Sequence, residues 1–171
     1  MAIPERIFLV GPMGAGKTTI GVKLADRLNK RFIDSDREIE NKTGANIPLI
    51  FELEGEEGFR RREAEVLSEL SQLPDIVLAT GGGAILREEN RQAMMSNGFV
   101  IYLRAPIEQL LNRTAKDKNR PLLQTANPRK VLTEILKKRE PFYQEVANLV
   151  VETNKKSIRE IIDQIMDILN A

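Results

Sequence analysis

Residues 11–18 read Gly-Pro-Met-Gly-Ala-Gly-Lys-Thr, which fits the spacing G-x-x-x-x-G-K-[ST]. That spacing suits phosphate chemistry. Successive backbone N–H groups of such a loop converge on an anion, and the helix that follows adds the partial positive charge of its N-terminus. Lys17 is then expected to reach the β- and γ-phosphates of a nucleotide, and the Thr18 hydroxyl to ligate Mg²⁺. Gly14, Ala15, Gly16, Lys17, Thr18 and Thr19 form the expected phosphate-binding run. The plainer reading is a turn with a surface lysine. The flanks argue against it: an apolar strand-like run, Ile7-Phe8-Leu9-Val10, precedes the loop, and Ile20, Leu24 and Leu28 recur at helical spacing after it.

Two carboxylates follow in Phe32-Ile33-Asp34-Ser35-Asp36. If extended geometry persists, Asp34 and Asp36 project to one side. One could hold Mg²⁺ through water while the other takes a substrate hydroxyl; alternatively, either caps the next helix. Gly81-Gly82-Gly83, after the apolar Ile76-Val77-Leu78-Ala79, would let a ligand approach the backbone closely. Two arginines face inward by periodicity. Arg60 shares a helix side with Ala64 and Leu67, whereas Arg61 aligns with Glu65 and Ser68. Arg139 falls on the stripe Leu132, Ile135, Leu136, Phe142, Tyr143, Val146, while Lys137 and Lys138 point away. An arginine on an apolar face needs a partner, either a structural ion pair or a ligand. With the Asp pair and the glycines, these arginines describe a pocket for a small hydroxylated carboxylate.

The elements that must position these groups are legible as an alternation. Strands are expected at about 6–10, 32–34, 76–79, 99–103 and 149–152, each followed by a helix or a glycine turn, with a long helix from Pro128 through Leu149. That pattern implies a parallel sheet between helices, with ligands at the carboxyl ends of the strands. Asn112 to Pro128 breaks the rhythm. It is polar and basic, and reads as a linker or as a lid over nucleotide.

Composition bounds the chemistry. A chain of 171 residues makes one domain, and 26 basic against 25 acidic residues leave no field for nucleic acid or an acidic membrane. With no Cys and no His, thiolate and imidazole chemistry are excluded, so proton transfer falls to carboxylates, Lys, Tyr or water. The first strand begins too early for a signal peptide, and no run is long enough to span a membrane; a cytoplasmic monomer is expected. The Asn-Lys-x-Asp guanine signature is missing, since Asn41-Lys42-Thr43-Gly44 and Asn154-Lys155-Lys156-Ser157 both lack the Asp.

Over essentially its whole length the chain resembles the shikimate kinase family, of the nucleoside-monophosphate-kinase-like branch of P-loop proteins. The resemblance is carried by residues 11–18, Asp34-Ser35-Asp36, Gly55 to Arg60, Gly81-Gly82-Gly83, Arg120-Pro121-Leu122-Leu123, and Arg139 with Tyr143. It implies a three-layer α/β/α fold with a five-stranded parallel sheet, order 2-3-1-4-5. One kinase domain over 1–171 would carry a shikimate-binding region at about 35–62 and a lid at about 112–127. It implies ATP-dependent phosphorylation of the shikimate 3-hydroxyl, a step of chorismate and aromatic amino-acid biosynthesis, with Mg²⁺. Asp36, Arg60, Gly81, Gly82 and Arg139 would contact shikimate, with Phe51 and Phe59 beside its ring. Lys17 and Arg120 would neutralise the transferring phosphoryl, Thr18 and Asp34 would hold Mg²⁺ (Asp34 through water), and Arg113, Asn154 and Lys155 would line the adenine pocket. Read without the resemblance, Arg113 and Arg120 are a solvated basic lid, and the two phenylalanines are core. Gluconate kinase, or a module that senses ATP without catalysis, remains an alternative at this point.

Overall fold

Strand β1 (Arg6–Val10) lies at the centre of the sheet because it is buried on both faces, with every residue from Ile7 to Val10 inside. Its side chains alternate. Phe8 and Val10 enter one apolar cluster, while Ile7 and Leu9 enter another on the opposite face. The computed structural model describes residues 2–115 and 125–170. Around β1 run α1 (Lys17–Leu28), β2 (Arg31–Asp34), α2 (Ser35–Thr43), α3 (Ile47–Leu70), β3 (Ile76–Ala79), a 3-10 turn (Ala84–Leu86), α4 (Glu88–Asn97), β4 (Phe99–Arg104), α5 (Ile107–Thr114), α6 (Pro128–Val146), β5 (Leu149–Glu152) and α7 (Ile158–Leu169).

The strands are parallel in the order β2-β3-β1-β4-β5, as the resemblance implied. Helices α1, α5 and α7 cover one face through Ile20, Leu24, Leu110, Ile161 and Ile165. Helices α2, α3 and α4 cover the other through Ile39, Phe59, Leu67 and Met94, joined by Tyr143 and Val146 from α6. All five carboxyl ends therefore open on one edge, bringing together the turns that follow β1, β2 and β3.

One expectation changes. The last long helix stops at Val146, not Leu149, because Leu149 begins β5 opposite Ile101. The segment expected as a lid begins inside α5, which runs to Thr114. Arg120 and the rest of 116–124 lie outside the described residues. Helix α3 is bent at Gly55, where φ is +72° and ψ is 178°, so its first two turns diverge from the axis that carries Arg60. Among the described residues, no helix is long and apolar enough to cross a membrane.

Candidate active site

The loop after β1 has the conformation its glycines allow. Gly14 and Gly16 sit at φ +84° and +98°, where a side chain would be strained, and Gly16 caps α1 without any side-chain hydrogen bond. No side chain therefore caps the first turn of α1, as suits an anion site at a helix N-terminus. Lys17 is buried, and its Nζ donates to the carbonyls of Gly11 (2.5 Å) and Pro12 (2.9 Å), so its charge is held across the loop. Ala15 is buried beneath, and Thr18 and Thr19 are exposed on the first turn. Arg113 arrives from α5 and donates to the Gly14 carbonyl at 3.1 Å, which places it over the loop.

Asp34 and Asp36 reach the cleft by a different route from the one their spacing suggests. The backbone turns helical at Ser35, so the two are not alternate residues of one strand. Asp34 caps α2, its Oδ1 accepting from the N–H of Asp36 (3.0 Å) and Arg37 (3.3 Å). Its other oxygen accepts from the Thr18 hydroxyl at 3.0 Å. Capping and the Thr18 contact are therefore compatible in one carboxylate. Asp36, in the first turn of α2, faces Gly81: a Cβ built there would lie 2.6 Å from Asp36 Oδ1 and 3.0 Å from Glu63 Oε2. A side chain at 81 would displace the carboxylates from this convergence. Ser35 completes it, accepting from the Gly81 N–H at 3.1 Å.

Both inward arginines are buried, Arg60 7% exposed and Arg139 4%, whereas Arg61 is exposed. Their electrostatics differ. Arg60 donates to Glu63 Oε1 at 2.9 Å, approaches Glu56 at 3.5 Å, and lies over the Phe59 ring, 5.2 Å from its centroid. Phe59 in turn packs against Phe51 at 4.9 Å between centroids. Arg139 makes no salt bridge among the described residues. Burial lowers its pKa, partly offset by Tyr143, and the nearby charge of Arg60 lowers it further. Glu63 is a member of the site that the sequence reading missed. Burial pushes its carboxyl up to about 7 against the pull of Arg60, and the charge of Asp36 adds to the rise. The available signal was its i+3 spacing from Arg60 on a helix.

Lys17, Thr18, Asp34, Asp36, Phe51, Phe59, Arg60, Glu63, Gly81, Gly82 and Arg139 line one open cleft, with Met13, Ile47, Ala79, Thr80 and Gly83 in the rest of its wall. Asn154 and Lys155 do not line it. They are exposed in the turn after β5, on the flank where Gln109 of α5 hydrogen-bonds Thr153 at 3.1 Å. That places them on the same side as Arg113. For a divalent cation the donor set is small and hard: one hydroxyl and one carboxylate in contact, with no cluster of three acidic residues among the described residues. It fits Mg²⁺ bound together with nucleotide phosphates and water, not a protein cage.

One end of the cleft can thus hold phosphates, and the other offers buried cations, carboxylates and an aromatic wall. That combination suits transfer of a phosphoryl group to a hydroxylated anion. A family model described as shikimate kinase matches residues 13–170. A shikimate kinase of Pseudomonas syringae pv. tomato is 55% identical over 162 residues, covering 95% of this chain and 94% of that one. The structure of a shikimate kinase from Acinetobacter baumannii in complex with shikimate is 53% identical with a TM-score of 0.95, covering 97% of this chain and 93% of that one. A gluconokinase from Sinorhizobium meliloti covers 99% of this chain and 94% of its own, at TM-score 0.66 but 17% identity, and so shares the fold alone. Relatives at this identity are kinases acting on an alcohol acceptor. The chain belongs to the shikimate kinase family.

Proposed function

We propose that this cleft transfers the γ-phosphoryl group of ATP to the 3-hydroxyl of shikimate, giving shikimate 3-phosphate and ADP, with the following division of labour. The loop from Gly14 to Thr19 and Lys17 hold the phosphates, Arg113 lies over the loop, and Asn154 and Lys155 flank the adenine. Thr18, and Asp34 through water, would hold Mg²⁺, which when bound would supply charge neutralisation at the phosphates. Arg60 and Arg139 take the acceptor's carboxylate, Asp36 orients its hydroxyls, Gly81 and Gly82 admit its ring, and Phe51 with Phe59 form the wall beside it. Arg120 acts from the lid on the transferring phosphoryl.

The transfer is in line. The acceptor oxygen bonds to the γ-phosphorus as the bond to the β-bridging oxygen breaks, and the hydroxyl proton passes to Asp36 or to water. A loose transition state asks little of a base, so catalysis rests on positioning and on Lys17. One kinase domain spans 1–171, with acceptor recognition in about 35–62 and the lid at about 112–127. It works as a monomer in the cytoplasm, where ATP is supplied.

The observation that carries the acceptor assignment is Arg139, a buried guanidinium on the cleft wall with no salt bridge among the described residues. Tyr143 and the more distant charge of Glu56 offset its burial only in part, and a ligand carboxylate would supply the paired charge. The test is ADP release with Mg²⁺-ATP and no acceptor, shikimate or gluconate. Release dependent on shikimate alone is expected. Release with gluconate alone, or without regard to acceptor, would overturn the assignment.

A further inference from the structure

Gly82 stands where the two halves of the cleft meet. A Cβ built there would lie 3.3 Å from the Met13 nitrogen and 3.4 Å from Arg139 Nη1, so the residue touches both the phosphate loop and the buried arginine. Its carbonyl accepts from the Tyr143 hydroxyl at 2.6 Å. Tyr143 is 1% exposed and lies one turn beyond Arg139 on α6. Its ring stacks on Tyr102 of β4, centroids 4.8 Å apart at 26°. Tyr102 is paired in register with Val10, the last strand residue before the phosphate loop, and gives its own hydroxyl to Glu140. A rigid path therefore runs from the β1–β4 pair through two stacked rings to the carbonyl beside Arg139.

We infer that Tyr143 is a positioning residue: its hydroxyl, donated to the Gly82 carbonyl, fixes the glycine turn and Arg139 relative to the phosphate loop, and so sets where the acceptor's carboxylate is held. This rests on the reading of the cleft given above. The buried hydroxyl needs a partner, and the one it has is a carbonyl of the site, beside Arg139. Here the hydrogen bond is made by a group with two rigid side-chain torsions, locked on one face by Tyr102. Loss of the donor leaves the Gly82 carbonyl without this partner and frees the turn to shift toward the arginine.

The test compares Tyr143→Phe with the native chain, using shikimate and its methyl ester as acceptors and varying ATP separately. The expected result is a rise of about tenfold in the shikimate KM with the ATP KM within about twofold. The preference for the acid over the ester should fall by a similar factor. Tyr102→Phe, which keeps the bond to Gly82, should leave these values unchanged. Unchanged acid preference in Tyr143→Phe would overturn the inference, as would a parallel rise in both KM values or an equal effect of Tyr102→Phe. The chain has two tyrosines, so fluorotyrosine labelling gives two ¹⁹F signals and needs no variant at 143. The Tyr143 signal should move on adding shikimate, and a signal that stays still overturns the inference too. A native chain inactive on shikimate would refute the function itself; an active native chain with an indifferent Tyr143→Phe refutes only the positioning role.

Discussion

Replacing Arg139 by Met should push stability and acceptor binding in opposite directions. Arg139 is 4% exposed, its neighbour Arg60 repels it, and Tyr143 with the charge of Glu56 offsets this only in part, with no salt bridge among the described residues. Its burial therefore weighs against folding. Methionine has similar length and no charge, and removing a poorly compensated buried charge stabilises a fold by about 1–2 kcal/mol, the low end of what buried ion pairs show when replaced by apolar side chains. For a domain of this size that is a rise in Tm of about 2–8 °C. The same change removes a charged hydrogen-bonded partner of the acceptor's carboxylate, a loss of about 3 kcal/mol, or roughly 150-fold in the shikimate KM. ATP, held on the other side of the cleft, should change by less than about threefold. Thermal denaturation without ligands and coupled ADP-release kinetics with each substrate varied measure both arms. A variant that loses more than about 2 kcal/mol of stability while both KM values rise together would show that Arg139 is a structural cation, and the reasoning would fail.

Lys17→Met should abolish turnover while the far-ultraviolet circular dichroism stays native; near-normal activity would remove the phosphate loop from the mechanism. Glu63 predicts a pH effect of definite sign. Its folded carboxyl, raised by burial to about 7, keeps its proton where the unfolded carboxyl, near 4.5, has already lost it. Below about 4.5 the group contributes nothing; as pH rises toward 7 it destabilises the fold by up to ~3 kcal/mol. Glu63→Gln should therefore gain stability on the native chain between pH 5 and pH 8 in urea melts, and parallel profiles would contradict this. Gly83 has an ordinary φ of −93°, but a Cβ there would collide with the Arg60 guanidinium. Gly83→Ala should drive Arg60 from Glu63 and weaken shikimate binding about tenfold or more, with ATP binding intact by titration calorimetry; equal loss of both ligands would count against the placement of Arg60.

Much of this site is written locally. The phosphate loop is a contiguous string whose glycines and lysine act through backbone geometry, so it needs no distant partner to be recognised. The inward sides of Arg60 and Arg139 follow from helical period alone, and burial agrees at both positions, as it does for exposed Arg61, Lys137 and Lys138. The positions of the central strands are equally plain, because β1, β3 and β4, buried along most of their length, are near-continuous apolar runs. Geometry at element ends is not. Asp34 and Asp36 project to one side only if the strand continues, and of the two readings capping is the one realised: the helix starts between them, because the Asp34 carboxylate caps it and lets the backbone turn at Ser35.

The amino-acid sequence by itself determined the strands, the phosphate loop and the inward arginines and nearby carboxylates that an anion pocket needs, since each depends on residue type and short-range period. Only the tertiary structure decided which charges are paired. Glu63 takes Arg60 and leaves Arg139 without a salt bridge among the described residues, although both arginines occupy equivalent inward positions on their helices. Nor could any local pattern place Tyr143 against Gly82, 61 positions away. Desolvation and contact between distant elements set those outcomes, and neither exists until the chain has folded.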